Sequence, residues 1–432
     1  MKFIADLHVH SRFSLATSKY TDVENLYTAA KRKGVTVLGT GDFTHPGWFG
    51  ELKNKLVQAE KGLYKLKEGI SRKTYKFIPE SCRGITRFIL TSEVCNIYRK
   101  GGITRKIHSL IFLPEINLVE KLNRRLKNLG KIESDGRPVF TFDVVRLLEI
   151  ALDVSDRAIF IPAHIWTPWY SLFGSKSGFD SIEECFGDYS KHIFAAETGL
   201  SSNPEMCRKF SGLNGITLIS NSDAHSPLKI GREANIFDTS LCYDSIVSAI
   251  QRGDPKEFAG TVEYYPEEGK YYMDGHRNCD LYFHPAETDK IGGICPVCRK
   301  KITIGVLHRI TELSDKSKNK SKNKAAKTSC FKTIPLLELL SEIYQLNPGS
   351  KKTMVCYNKL IEQFGPELYI LNFMGIDELK ESGDSLLAEA IKRMRKNEVK
   401  ITPGFDGKYG SIKIFREEEI RKAQVNKKTQ RS

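Results

Sequence analysis

The 432-residue chain has no run of about 18 uninterrupted apolar residues, so no membrane-spanning helix is expected. Its opening, Met1-Lys-Phe-Ile-Ala-Asp6, meets an acid before a secretory core could build, which points to a cytoplasmic protein. A cysteine framework is missing too. Of ten cysteines, Cys82, Cys95, Cys185, Cys207, Cys242, Cys330 and Cys356 are scattered, and only Cys279, Cys295 and Cys298 cluster. That usage suits reduced thiols plus one metal site and excludes a disulfide scaffold. There is no internal repeat. An acidic surplus is lacking as well: 67 lysines and arginines against 52 acids leave a net charge of +15. A basic excess suits a polyanion such as nucleic acid or an acidic membrane face.

The chain does have a core. Hydrophobic residues make up 40%, enough for two or three domains at this length. Seven short apolar runs read as buried parallel strands: Lys2–Asp6, Thr36–Asp42, Arg87–Glu93, Ile107–Leu113, Ala158–His164, Ile193–Glu197 and Gly215–Asp223. Helical patterns separate several of them, at Val23–Lys33, Phe142–Leu152 and Ser181–Tyr189. Strands alternating with helices predict an α/β barrel or sheet over residues 1–260. The Tyr-, Glu- and Gly-rich stretch Glu263–Asp274 reads as a connector with little core, and a Cys/His unit occupies 261–315. Residues 316–332 hold seven lysines and no acid, which predicts a disordered loop. A mainly helical unit follows over 333–423, with apolar faces at Leu336, Leu337, Leu340, Ile343 and Tyr344 and at Leu386, Leu387, Ala390, Ile391 and Met394. Thr402–Phe415 reads as a turn-rich stretch leading into a strand, and 424–432 as a flexible tail.

Ligand-type residues recur at the run ends. Asp6, His8 and His10 share one face at the end of the first, if the chain stays extended. Asp42 and His45 follow the second, Glu93 ends the third and His108 opens the fourth. His164 ends the fifth, Glu197 the sixth, and Asp223 and His225 the seventh. In parallel α/β folds these ends share one edge, where active sites are built. Imidazoles and carboxylates without thiolate suit Zn²⁺, Mn²⁺ or Fe²⁺ in an open, catalytic site. Taken singly, His45, His108 and Glu197 read better as hydrogen-bonded core or capping residues. A second pattern, His276-x2-Cys279 with Cys295-x2-Cys298, matches a closed structural zinc site, with His284 a rival fourth ligand.

The set Asp6-x-His8-x-His10, Gly41-Asp42, Thr91-Ser-Glu93, His164 and Ser222-Asp-Ala-His225 resembles the PHP (polymerase and histidinol phosphatase) superfamily. The resemblance implies a distorted seven-stranded (β/α) barrel with two or three divalent ions. It implies that His8, His10, Glu93 and Asp223 hold one ion, and that Glu93 bridges to a second held by His108 and His164. His225 would serve a third, completed by His45, since Ala16 stands where some members carry another histidine; Asp42 also counts among the metal candidates. Asp42 and Glu197 also qualify as partners that fix histidine tautomers.

Within that superfamily the chain resembles the endonuclease Q family. The resemblance rests on His10-Ser-Arg-Phe-Ser14, Gly39-Thr-Gly-Asp42, Asp274-Gly-His-Arg277, Gly293-Ile-Cys-Pro-Val-Cys298, Thr303-Ile-Gly-Val-Leu-His-Arg309 and Pro403-Gly-Phe-Asp-Gly-Lys-Tyr-Gly410. It implies cleavage of double- or single-stranded DNA 5′ to deaminated bases or abasic sites. Zn²⁺, Mn²⁺, Mg²⁺ or Fe²⁺ would serve at the active site, with Glu93, Asp223 and His225 as catalytic residues. Trp166, Trp169, Tyr170 and Phe173 are candidate base-stacking groups, and Lys176 and Lys229 candidate phosphate contacts. A small-molecule phosphatase and a non-catalytic DNA-binding protein are the alternative readings. The former has no need of the zinc unit or the positive charge.

Overall fold

The computed structural model describes residues 1–316, 328–381 and 384–421. Most of the lysine-rich stretch and the whole 424–432 tail lie outside the described residues. No helix among the described residues is long and apolar enough to cross a membrane.

All seven apolar runs contain strands: β1 (Lys2–Asp6), β2 (Val37–Gly39), β3 (Arg87–Lys100), β4 (Ile103–Leu113), β5 (Ile159–Pro162), β6 (Ala195–Glu197) and β7 (Thr217–Ile219). Their directions differ from the expectation of an all-parallel set. β1, β2 and β3 pair in parallel, but β4 is antiparallel to both β3 and β5. The cause is the turn Gly101-Gly102, both with positive φ, which closes a tight hairpin and leaves no length for a crossover helix. β6 and β7 pair in parallel with each other. They meet β5 and β1 through contacts beyond the strand ends, Ile165 N–H to Glu197 O (3.0 Å) and His10 N–H to Ala224 O (2.9 Å).

Each of the seven contributes to one buried cluster, including Phe3, Ala5, Val37, Ile89, Leu110, Phe112, Ile159, Ile161, Ala195 and Ile219. The alternate residues Ile4, Leu38, Leu90, Ile111, Phe160, Ala196 and Leu218 belong to a second cluster with the helices. The period-two alternation of strands thus separates two packed layers. Among those helices are α1 (Val23–Lys33), α2 (Pro46–Lys55), α3 (Ile116–Lys127) and α4 (Val144–Val154). α1 starts at Asp22, whose carboxylate accepts the Asn25 N–H (2.8 Å), and stops at left-handed Gly34. α4 buries Val144, Leu147, Leu148 and Ala151, the i, i+3, i+4, i+7 stripe.

β8 (Ala234–Asp238) pairs antiparallel with the free side of β1, and β9 (Phe258–Glu263) with β8. β9 therefore runs through the boundary expected at residue 260. Glu263–Asp274 is not a coreless connector either: Tyr265, Met273 and Asp274 are buried. The zinc-type unit holds the hairpin β10 (Asp274–His276) and β11 (Leu281–Phe283). Between β8 and β9 lies α5 (Tyr243–Arg252), and α6 (Val306–Lys316) follows the hairpin. The chain then returns as β12 (Ser329–Lys332), parallel to β9, so the end of the expected loop is a paired strand. The helical unit contains α7 (Leu336–Tyr344), α8 (Lys351–Phe364) and α9 (Ser385–Arg395), with Leu336, Leu337, Leu340, Leu387, Ile391 and Met394 buried. The hairpin Lys400–Thr402 and Ser411–Lys413 follows.

Candidate metal centre

The hairpin builds the first part of the site. Cys95 lies directly opposite His108 across β3 and β4, and Glu93 is two residues before Cys95. Two-residue spacing keeps Glu93 and His108 on the same face of the sheet. His8 and His10 follow β1, His164 follows β5, and Asp223 follows β7.

These side chains converge as two groups, His8–His10–Asp223 and Glu93–His108–His164, each with candidate ligand atoms within 4.8 Å of one another. Glu93 faces both. Its Oε1 lies 2.7 Å from His108 Nδ1 and 3.0 Å from His164 Nε2. Its Oε2 lies 3.3 Å from His10 Nε2 and 3.7 Å from His8 Nε2. Asp223 Oδ1 is 3.0 Å from His10 Nε2 and 3.6 Å from His8 Nε2. The buried atoms His8 Nε2, His10 Nε2 and Asp223 Oδ1 have no hydrogen-bond partner. Three orphaned ligand atoms aimed at one another fit a cation.

The far side of each ring explains why those nitrogens are free. His8 donates its Nδ1–H to Glu197 (3.0 Å), and His10 donates its Nδ1–H to Asp42 (2.9 Å). This fixes the tautomer that leaves Nε2 a lone pair. Glu197 also accepts the His164 N–H (2.9 Å) and an amide N–H of Asn221 (2.9 Å). Asp42 also accepts from Ser11 N–H (2.6 Å) and from the hydroxyls of Ser11 (2.7 Å) and Ser14 (2.8 Å).

Charge balance tells the same story. Burial pulls the His8 ring down, yet Glu197, Glu93 and Asp223 more than offset this and hold it well above its usual range. Burial likewise opposes ionisation of Glu93, but His108, Arg137 and His8 hold its carboxyl well below the usual range. His108 is pushed down to about 4, chiefly by burial. The carboxylates that retain protons on these rings would equally retain a cation in their place.

The backbone is strained where the ligands leave it. Asp42, His164 and Asp223 have φ of 48°, 29° and 46°, in the left-handed region that ordinary residues avoid. Gly41 is needed beside them, since a Cβ there would lie 2.0 Å from Val9 O.

Arg137 was not foreseen. Its Nη1–H donates to Glu93 Oε2 (3.1 Å), placing a guanidinium against the central carboxylate. It comes from the turn after α3, 44 positions from Glu93, with no ligand spacing to announce it. Other expected residues sit elsewhere. His45 caps α2: its Nδ1 accepts the N–H of Gly47 (3.2 Å), and its Nε2–H donates to Glu133 O (3.1 Å). Helix capping, not the two ligand groups, occupies it. Asp6 accepts the N–H of Ser222 (3.1 Å) and Gly231 (2.9 Å). His225 packs its ring on His10, centroids 4.5 Å apart, and its Nδ1–H donates to Asp223 O (2.9 Å).

Trp166 is a core residue, 1% exposed, with its Nε1–H on Cys207 Sγ (3.1 Å) and its ring on Phe173 and Phe210. Phe173 is buried with it. Tyr170 is half-buried against His108 (4.8 Å), and Trp169 meets Tyr271 edge-on (5.8 Å). Lys176 is exposed, and Lys229 is tied to Glu338 of α7 (3.2 Å).

The second cluster is as the spacing predicts: His276, Cys279, Cys295 and Cys298 present ligand atoms within 4.8 Å of one another. His284 instead begins a short helix, Pro285–Lys290, its N–H donating to Glu287 (2.8 Å). Backbone N–H groups of Cys298 and Val297 hold the Cys295 thiol below its usual value, which favours the ligating thiolate. Gly275 and Thr303 exchange backbone hydrogen bonds (3.0 and 2.8 Å) that close the unit.

A family model described as the MJ0043 C-terminal domain matches residues 335–398. The chain is 31% identical over 274 residues to the uncharacterized protein MJ0043 of Methanocaldococcus jannaschii, covering 60% of this chain and 33% of that one. It thus spans about a third of that relative's length. It is 29% identical to the uncharacterized protein YqxK of Bacillus subtilis, over 95% of this chain and 99% of that one. Among solved structures it superposes on the lesion-specific endonuclease PfuEndoQ from Pyrococcus furiosus with a TM-score of 0.81 and 28% identity, covering 98% of this chain and 99% of that one. It also superposes on endonuclease Q in complex with a 27-mer duplex carrying an abasic lesion at the active site, with a TM-score of 0.82 and 29% identity, over 97% and 98% of the two chains. From one end to the other, this chain shares the fold of the endonuclease Q structures.

Proposed function

We propose that the chain is a metal-dependent endonuclease that hydrolyses the phosphodiester bond 5′ to a damaged nucleotide in DNA. The damage would be an abasic site or a deaminated base: uracil, hypoxanthine or xanthine. One observation carries the reading. Glu93 stands between two groups of inward-facing ligand atoms, three of them without partners, in a chain that matches a lesion-specific endonuclease end to end. The net charge of +15 suits a DNA substrate.

Divalent ions bound here (Zn²⁺, Mn²⁺, Mg²⁺ or Fe²⁺) would lower the pKa of water and neutralise charge on the phosphate. His8, His10 and Asp223 would hold one, and Glu93, His108 and His164 another. Asp42 and Glu197 keep the rings of His10 and His8 turned toward the centre. Arg137 adds a fixed positive charge beside Glu93, where a phosphate oxygen would arrive. His225 stands on the side where Asp223 is 28% exposed, placed to orient substrate or water. Deamination replaces an amino donor with a carbonyl acceptor, so a pocket lined with N–H donors would choose the damaged base. The Cys₃His cluster would hold one structural zinc. Ten cysteines without a disulfide suit a reducing compartment such as the cytoplasm.

The test is a gel assay. A 5′-labelled duplex with one uracil, hypoxanthine or abasic site is incubated with Mg²⁺ or Mn²⁺, beside an undamaged control and the Asp223→Ala protein. Scission on the 5′ side of the lesion alone, lost in the variant, is the expected result. Hydrolysis of a generic phosphate monoester with all strands intact would sink the proposal and leave a phosphatase.

A further inference from the structure

The loop that follows His10 supplies no candidate ligand to the centre, yet it is fastened to it. Its ends meet where Arg12 N–H donates to Thr21 O (3.0 Å), which closes a compact Ω-type loop. Ser14, near its start, donates its hydroxyl to Asp42 (2.8 Å), the carboxylate that orients His10. Ser18, past its tip, donates its N–H to His225 O (2.9 Å). Leu15 N–H reaches Asp135 (3.4 Å), which also accepts the Arg137 N–H (3.0 Å). Ala16 beside it holds a left-handed φ of 60°. A loop tied to Asp42, Asp135 and His225 cannot move independently of the centre.

That rigid loop presents large apolar side chains among its exposed residues. Leu15 is 71% exposed and Tyr20 61%, and Leu228, three residues past His225, is 50% exposed. Single exposed leucines need no explanation, but these lie on two adjoining loops that both spring from ligand-bearing segments. Lys19, over the Tyr20 ring at 5.3 Å, adds positive charge beside them. Apolar side chains held firmly beside cations suit a base stack flanked by phosphates.

We propose that Leu15 is the wedge that enters the base stack next to the damaged nucleotide and keeps that nucleotide extruded toward the metal centre. This rests on the nuclease reading above. Pulling a base from a duplex costs unstacking and unpairing, and an inserted apolar side chain offsets that cost by filling the gap. A single strand has no partner strand to leave and needs the wedge much less.

The experiment compares cleavage of one uracil-containing strand, alone and in a fully paired duplex, by wild type, Leu15→Ser and Leu15→Met. Leu15→Ser is expected to cut the duplex about tenfold more slowly and the single strand within about twofold of wild type. Leu15→Met should recover most of the duplex rate. In the cleavage-deficient Asp223→Asn background, 2-aminopurine beside the uracil should brighten on binding, and Leu15→Ser should abolish the increase. Equal rates for all three proteins on the duplex would overturn the wedge while leaving the nuclease reading intact. A Leu15→Ser loss of equal size on both substrates would overturn it too, because the loop would then serve the centre itself. If wild type leaves both strands uncut, the nuclease reading fails and the wedge with it.

Discussion

The Nδ1–H of His10 donates to Asp42 at 2.9 Å, and on the opposite side of the ring Nε2 stops 3.0 Å from Asp223 without bonding it. One carboxylate therefore decides which nitrogen is available to an ion. Removing it in Asp42→Ala should weaken the affinity for Mn²⁺ by about 10–100-fold. Isothermal titration would read this directly, and the metal concentration giving half-maximal cleavage should rise in step. An unchanged affinity would mean that His10 does not ligate through Nε2.

Arg137→Ala removes the guanidinium from Glu93. In protein stripped of its loosely held ions, the buried carboxylate then keeps only histidine partners, and stability should fall by about 2 kcal/mol. Added Mn²⁺ should close most of the gap by supplying the missing positive charge. Thermal unfolding with and without Mn²⁺ tests this. A loss of the same size under both conditions would separate Arg137 from the metal positions.

Glu263 gives a pH signature away from the metal centre. It is fully buried with Oε2 unpartnered, and burial pushes its carboxyl up to about 7 from an ordinary 4.5. Between those two values the folded chain keeps a proton that the unfolded chain has released. Folded stability therefore drains away as pH rises through that window. Glu263→Gln cannot lose a proton, so its melting midpoint should match wild type near pH 4 and exceed it increasingly toward pH 8. A constant difference across the range would show that Glu263 ionises freely in the folded protein.

Purified protein should carry one tightly held zinc in the Cys₃His cluster. Cys298→Ser should lower zinc content by one per chain, read by elemental analysis, and expose the segment around β10 and β11 to proteolysis. Zinc content unaffected by the change would place the ion elsewhere.

The residues that converge were legible in the sequence because each is local to the end of an apolar run: His8, His10, Glu93, His164 and Asp223 all follow this rule. The Cys₃His cluster was legible because two ligands per turn impose fixed spacing. Strand direction was not, although Gly101-Gly102 carried the signal of a hairpin. His45 misled because a histidine just after a strand and just before a proline-led helix can serve as ligand or cap, and only the position of Glu133 decides. Trp166 misled for a similar reason: its partners Phe210 and Cys207 are over forty positions away. Arg137 left no trace, since its partner Glu93 is chosen by how the turn after α3 folds over the mouth.

The candidate ligands run from His8 to Asp223, and β1, which carries the first of them, gains its neighbour β8 only with residues 234–238. A chain still emerging from the ribosome thus has His8 and His10 but lacks Asp223, the third member of their group, until past its midpoint. Products ending before Asp223 would leave the His8–His10 group one ligand short. This order of assembly would leave truncated forms of the proposed nuclease without a complete centre.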